Sequence, residues 1–355
     1  MVEPGTTTWP ELLTLLVTGV DLSGDQASWA MNRIMAGEAT DAQVAGFLIA
    51  LRAKGVTTEE LGGIAEQMLS HARRISVPAP SLDIVGTGGD RANTVNISTM
   101  SAVVAAAAGA VIVKHGNRAA SSKSGTADCL EALGVVLSLG PEKVVEVAHK
   151  VGITFCFAQD FHPSMRHVAG PRRELGVPTV FNLLGPLTNP AQPVHSAVGV
   201  ADALAAPLVA GVFAARGNRA AVFRGDDGLD EITVSTTSRI WWVAQGDIDE
   251  YVIAPEDVGL ARHPIEALRG ADANYNAQVV RDVFAGKTGA PREAVLLNAG
   301  IALAVAAEPQ VRNQADFVQA LRAGIARAAE AIDSGATTAR LEAWKAATRE
   351  AAEQR

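Results

Sequence analysis

Apolar residues in the first seventy-odd positions recur three and four apart, the spacing that places them on one face of a helix. "WPELLTLLVTG" (9–19) ends at a glycine, and "SGDQASWAMNRIMAG" (23–37) opens on a serine able to cap. "TDAQVAGFLIALRAKG" (40–55) repeats the pattern with Thr40 as cap, and "TTEELGGIAEQMLSHA" (57–72) adds a fourth helix with Thr57 or Thr58 at its start. With almost no strand signal among them, these segments predict a small all-helical bundle over 1–77.

The period changes after Pro78 and Pro80. "SLDIVGTGGD" (81–90) reads as a short buried strand running into a glycine turn, and strands and helices alternate from there. "NISTMSAVVAAAAG" (96–109), "GTADCLEALG" (125–134) and "GPEKVVEVAHKVG" (140–152) predict helices; "AVIVK" (110–114) and "ITFCFA" (153–158) predict strands. Further strands are expected at "SAVGV", "AAVFRG" and "EYVIA", and further helices at "APLVAGVFAARG", "REAVLLNAGIALAVAA" and "DFVQALRAGIARAAEAI", followed by an alanine-rich amphipathic tail. Such alternation implies an α/β fold over 78–355, a central sheet covered by helices. The proline-bearing stretch 162–190 breaks the alternation and is expected to return to the bundle.

Composition narrows the picture. A chain of 355 residues with 48% hydrophobic and 19% charged residues excludes disorder and suits one large or two ordinary domains. The net charge of −8 argues against a protein whose work is gripping nucleic acid. Cys129 and Cys156 sit in apolar sequence without CxxC or metal spacing, which predicts buried free thiols. The first residues carry no signal-peptide pattern, and "MSAVVAAAAGAVIV" is too short to span a bilayer, so a soluble, cytoplasmic protein is expected.

Three loops carry candidate chemistry. "GTGGD" (86–90) follows a strand and leads to a helix, so its N–H groups and those of the helix start can meet an anion, although a tight turn also needs glycine for steric reasons. "KHGNRAASSKSGTAD" (114–128) squeezes two of the chain's seven lysines, Arg118 and a run of hydroxyls between two apolar segments. Lys114 and Lys123 can neutralise phosphate, Arg118 can fix one, and Ser121, Ser122, Ser124 and Thr126 can donate to its oxygens; a solvated surface loop is the plainer alternative. "RGDDGLDEIT" (224–233) lacks calcium-loop spacing, but Asp230 and Glu231 suit a magnesium ion bridging to a polyphosphate, against the alternative of a solvated acidic turn.

"DIVGTGGD", "NIST", "KHGNRAASSKSGTADCLEALG", "FNLLGPLTNP" and "GLDEIT", in that order and spacing, resemble the anthranilate phosphoribosyltransferases of the nucleoside-phosphorylase-like transferase group. The resemblance covers most of the chain. It implies a helical bundle plus an α/β domain, a homodimer through the bundle, Mg2+, and two small-molecule substrates, phosphoribosyl pyrophosphate and anthranilate. By the same resemblance Gly86, Thr87, Gly88, Gly89 and Asp90 match the pyrophosphate loop. Thr94, Asn96, Ile97, Ser98 and Thr99 match ribose, phosphate and metal contacts, and Lys114, Gly116, Arg118, Ser122, Ser124 and Thr126 the phosphoribosyl pyrophosphate contacts. Ser98, Asp230 and Glu231 match metal positions; His115, Asn117 and Arg172 match the anthranilate side. Arg172 also suits an aromatic carboxylate as a planar fork donor, but "AGPRREL" departs from the commoner "APVRKEL", leaving Arg173 as its rival.

His115 invites a general-base reading, yet an arylamine is already neutral, so positioning by His115, Asn117 and Lys114 is the stronger expectation, with no certain catalytic group. His149, His162, His167, His195 and His263 read as ordinary surface or packing residues. Two rivals remain: a pyrimidine nucleoside phosphorylase-like enzyme, whose glycine loops differ, and a nucleic-acid-binding paralogue, which should be basic with eroded substrate residues.

Overall fold

The computed structural model describes residues 7–118 and 124–353. Helices α1 (Trp9–Val17), α2 (Gly24–Met35), α3 (Asp41–Lys54) and α4 (Thr58–Ser70) form the bundle. Thr8, Ser23, Thr40 and Thr57 cap them, each accepting from a backbone N–H three residues on. Gln26, Gln43 and Glu60 return the bond, so Thr57 rather than Thr58 is the cap. Glu60 is fully buried and accepts from the N–H groups of Leu22 and Thr57, both at 2.8 Å, and from Lys54 Nζ at 3.0 Å.

Seven strands form one sheet in the order β3-β2-β1-β4-β5-β6-β7. They are β1 (Ser81–Gly86), β2 (Val111–Gly116), β3 (Ile153–Phe157), β4 (His195–Gly199), β5 (Arg219–Gly225), β6 (Ser238–Ala244) and β7 (Asp247–Ile253). The first five run parallel, and β5, β6 and β7 are antiparallel. Between β1 and β2 lies α5 (Ile97–Ala107); α6 (Thr126–Leu133) and α7 (Pro141–Val151) connect β2 to β3. Next come α8 (Ala158–Phe161), α9 (Arg166–Leu175) and α10 (Phe181–Leu184), then α11 (Ala206–Ala215) between β4 and β5. After β7 follow α12 (Ala273–Phe284), α13 (Ala290–Ala306), α14 (Gln314–Asp333) and α15 (Ala336–Glu353). None of the described helices is long and apolar enough to cross a membrane.

Alternation along each strand divides the interior into two cores. Val85, Val198, Val222, Trp241 and Val243 face the bundle and α11, whereas Ile84, Ala197, Ala221, Phe223, Ile240 and Trp242 face α5, α13 and α14. The bundle-facing core includes Val168 of α9, Phe181 and Leu184, and α9 packs against α2 and α3. Cys129 and Cys156 are buried and free, and burial pushes the Cys129 thiol up to about 12.

Two elements differ from the sequence expectation. Strand β6 was not expected, because Trp241, Trp242 and Val243 are all buried, on both faces, and show no alternation of apolar and polar residues. It turns into β7 through Gln245 and Gly246, at φ 56° and 86°, the left-handed pair that tight hairpins require. Helix α12 was not expected either, since its first turn is polar; Asp272 caps it by accepting from the Tyr275 N–H.

Helices α13 and α14 cross at a pair of glycines. A Cβ on Gly324 would lie 2.0 Å from the Gly300 carbonyl oxygen. Alanine in a helix interior normally stabilises relative to glycine by about 1 kcal/mol. Gly324→Ala is expected to do the opposite, destabilising by about 3 kcal/mol through overpacking, which calorimetric unfolding reads directly as a lowered melting temperature.

Candidate active site

The chain lays β2 and β3 on one side of β1 and β4 and β5 on the other. A crevice opens at such a switch point, at the carboxyl ends of β1 and β4. There Gly86 pairs with Gly199, and the loop after β5 folds back over both. A Cβ on Gly199 would lie 1.6 Å from the Asp230 carbonyl oxygen, and one on Gly86 2.2 Å from Asp230 Oδ2. Gly88 and Gly89 are left-handed, at φ 69° and 90°, and the Gly88 N–H donates to Asp230 Oδ2 at 2.7 Å. The glycine loop and the acidic loop are therefore one structure. Thr87 completes it: its N–H donates to the Gly199 carbonyl, and its hydroxyl accepts from the Ala201 N–H at 3.2 Å.

The start of α5 forms the next wall. Asn96 stands at the N-cap without a side-chain cap bond, and Glu231 accepts from the Ser98 N–H. Thr99 is buried and its Oγ1 has no hydrogen-bond partner among the described residues. Ile97 packs its side chain in the core and can offer only backbone to a ligand. Thr94 bridges Arg269 in a short antiparallel pairing. Lys114, near the end of β2, is buried; its Nζ donates to the Ile84 carbonyl and, at 3.2 Å, to Ser98 Oγ.

Charge is unbalanced here. Burial pulls the Lys114 ammonium below its ordinary value, while Asp83, Glu231 and Asp230 favour its charged form. Burial pushes Asp230 up to about 7, with the neighbouring Asp90 carboxylate adding to the effect. Glu231 lies well above the usual carboxylate range, through burial and then Asp230. Asp83 is raised to about 6 by burial, against the pull of Lys114 and of bonds from Asn189 and the His115 N–H; Asn189 Nδ2 donates to it at 2.8 Å. Among the described residues one buried ammonium, that of Lys114, faces these carboxyl groups.

His115 Nδ1 lies 3.0 Å from the Gly185 carbonyl. A carbonyl only accepts, so Nδ1 carries the proton and Nε2 is an acceptor, and Nε2 has no hydrogen-bond partner among the described residues. Burial, and then His162 with its ring centroid 5.1 Å away, hold the imidazole down to about 3. Such a ring is neutral at physiological pH and a weak base. His162, read from sequence as an ordinary surface or packing residue, is buried with its ring packed beside that of His115.

Arg172 is half-buried on α9 with its guanidinium 5.1 Å above the Phe181 ring; Phe181 begins α10, which leads to Gly185. Arg173 is exposed. Arg118, expected to hold phosphate, lies along α6 instead, bonded to Glu131 at 2.6 and 2.8 Å and to Asp128 at 3.0 Å. Asn117 is exposed and its Oδ1 accepts from the Arg118 N–H. Gly116 ends β2 against the Phe155 ring, Thr126 opens α6, and the Ser124 carbonyl accepts from Asn96 Nδ2 at 3.4 Å. Ser121, Ser122 and Lys123 lie outside the described residues. Asp83, Asn189 and Asn276 also bond within this site and have no assigned role in the sequence reading, although Asp83 and Asn189 lie inside the motifs "DIVGTGGD" and "FNLLGPLTNP".

Two family models match the chain: "Glycosyl transferase family, a/b domain" over residues 79–338, and "Glycosyl transferase family, helical bundle domain" over 10–72. A Nocardioides protein named anthranilate phosphoribosyltransferase is 60% identical over 96% of this chain and 99% of its own length. The crystal structure of the Thermus thermophilus anthranilate phosphoribosyltransferase superposes with a TM-score of 0.88 at 41% identity, over 95% of this chain and 99% of that one. The Saccharomyces cerevisiae enzyme in complex with PRPP and Mg superposes with a TM-score of 0.86 at 28% identity, over 96% and 98%. With the fold, the two-part architecture and the sequence in agreement, the chain belongs to the anthranilate phosphoribosyltransferases of the glycosyl transferase family.

Proposed function

We propose that this enzyme transfers the 5-phosphoribosyl group of phosphoribosyl pyrophosphate to the amine of anthranilate, yielding N-(5-phosphoribosyl)anthranilate and pyrophosphate, the second step of tryptophan synthesis from chorismate. The observation that carries the reading is the convergence of a glycine loop, a helix start, a buried lysine and an acidic pair at one switch point. The yeast relative bound to PRPP and Mg supports it.

The acidic residues suit magnesium by their chemistry. Among the described residues no three His, Cys, Asp or Glu side chains form a ready-made cage, which accords with an ion that takes one or two carboxylates and completes its shell with water and substrate phosphates. Asp230, Glu231 and the Ser98 hydroxyl are the residues that would hold it, and when bound its charge would offset that gathering on a departing pyrophosphate. Lys114, and those N–H groups of the glycine loop and α5 not already donated to Gly199, Asp230 or Glu231, bind the same anion. As the bond from ribose C1 to pyrophosphate oxygen breaks, positive charge builds on the ribose, the anthranilate nitrogen bonds to C1 and then sheds a proton. His115, neutral with Nε2 free to accept, suits a hydrogen bond from the amine N–H, and Arg172 suits the carboxylate. The active unit is a cytoplasmic homodimer joined through the bundle, a reading supported by exposed Val17, Val20 and Ile49 on its surface.

Mixed with both substrates and magnesium, the protein is expected to quench anthranilate fluorescence, and a chelator or omission of either substrate to stop the loss. No loss from folded protein would refute the reaction. Arg172→Ala should raise the anthranilate KM ~10- to 100-fold with little change for phosphoribosyl pyrophosphate; equal effects on both would contradict its role. Replacing Asp230 and Glu231 by alanine should abolish most magnesium-dependent turnover, and an unchanged metal dependence would show that the pair is no metal site. Light scattering should give twice the 36.8 kDa of one chain; a monomer would rule out the dimer.

A further inference from the structure

Asn276 sits in the first turn of α12, buried, 180 residues along the chain from Asn96. The reaction described above makes no use of it. Its orientation is dictated by its neighbours. The Ala271 N–H can only donate, so the side-chain atom 3.0 Å away is Oδ1. Nδ2 then faces Asn96, and the Asn96 atom at 2.8 Å has to accept, so it is Oδ1. Asn96 is left with its own Nδ2 on the far side, 3.4 Å from the Ser124 carbonyl, another group that can only accept. A backbone donor at one end and a backbone acceptor at the other set both amides.

The surrounding backbone holds this chain of bonds in place. The Gly270 N–H donates to the Asn93 carbonyl at 2.8 Å and the Val95 N–H to the Leu268 carbonyl at 2.9 Å. A Cβ on Gly270 would lie 2.7 Å from the Thr94 carbonyl oxygen and 2.8 Å from Asn276 Oδ1, so only glycine lets the three segments approach. Asparagine at an N-cap ordinarily turns its oxygen to the helix's own N–H groups. Asn96 makes no such bond, because Asn276 has recruited that oxygen.

The geometry points to Asn276 as a positioning residue for phosphoribosyl pyrophosphate: by engaging Asn96 Oδ1 it makes Asn96 present a donor, rather than an acceptor, to the crevice at the start of α5. This inference rests on the substrate reading above. The bond from Asn96 Nδ2 to Ser124 is long, and a ribose hydroxyl or phosphate oxygen can replace it at little cost. An acceptor in the same place would oppose an oxygen-rich anion.

Asn276→Asp keeps the shape and the acceptor for Ala271 but turns a carboxylate oxygen towards Asn96, reversing its amide. Asn276→Leu removes both bonds. Assayed near pH 8, above the ordinary carboxylate range, Asn276→Asp is expected to raise the phosphoribosyl pyrophosphate KM about 10- to 100-fold. The anthranilate KM should stay within about twofold, and the leucine variant should be less impaired than the aspartate. A purely structural role predicts the reverse order, with losses spread over both substrates and tracking the melting temperature; that result overturns the proposal. Asn276→Ser introduces no buried charge and no longer reaches Asn96, and should raise the same KM about 3- to 10-fold. Wild-type enzyme runs alongside. If it turns over both substrates while that KM is unmoved in the aspartate and serine variants, this inference alone fails; if the wild type has no turnover, the substrate reading fails and takes this one with it.

Discussion

Gly199 has room for no side chain, because the Asp230 carbonyl oxygen would stand 1.6 Å from its Cβ. Much of the site depends on that close approach. Gly86, its partner across β1 and β4, admits the Asp230 carboxylate in the same way. Two bare strand ends let a loop from beyond β5 lie across the crevice, where Gly88 holds it by a 2.7 Å hydrogen bond. Strand order creates the crevice, and the two glycines decide what enters it.

What enters is charge that the described residues do not neutralise by themselves. Asp230 and Glu231 are buried beside Asp90 and within reach of one buried ammonium, Lys114. Removing carboxylates from water costs more than one lysine returns, and the raised pKa values express that deficit. Divalent cation and polyphosphate together would supply the missing charges of each sign. The fold is thereby less stable than it could be at the place where it works, a common relation between function and stability.

How much of this the sequence revealed follows from how local each signal is. The glycine loop, the start of α5 and the run from Lys114 to Thr126 each lie between a strand and a helix, so each is a readable motif. Their meeting with Asp230 needed the strand order, which no short stretch encodes. Strand β6 escaped because Trp241 and Trp242 face different cores, so burial on both sides erased the alternation. His162 and Asn276 are single polar residues whose neighbours, His115 and Asn96, stand 47 and 180 positions away, so no local pattern shows the contact. Arg118 shows the other limit: its motif suggests phosphate, while Asp128 and Glu131, 10 and 13 residues further along on α6, bond its guanidinium, a pairing no local pattern announces.

Asp230 and Glu231 are held at electrostatic cost, and that cost is measurable. In chelator, unfolding free energy should be measured against pH for the wild type and for the variant carrying Asp230→Asn and Glu231→Gln, which keeps shape and acceptors without charge. A carboxyl raised in the folded state binds a proton that the unfolded chain has already released, so stability falls as pH rises through that window. For Asp230 the window runs from 3.8 to about 7, and Glu231 extends it upward. The wild type is expected to lose stability relative to the amide variant across this range. Two curves that stay parallel from acid to neutral pH would contradict it.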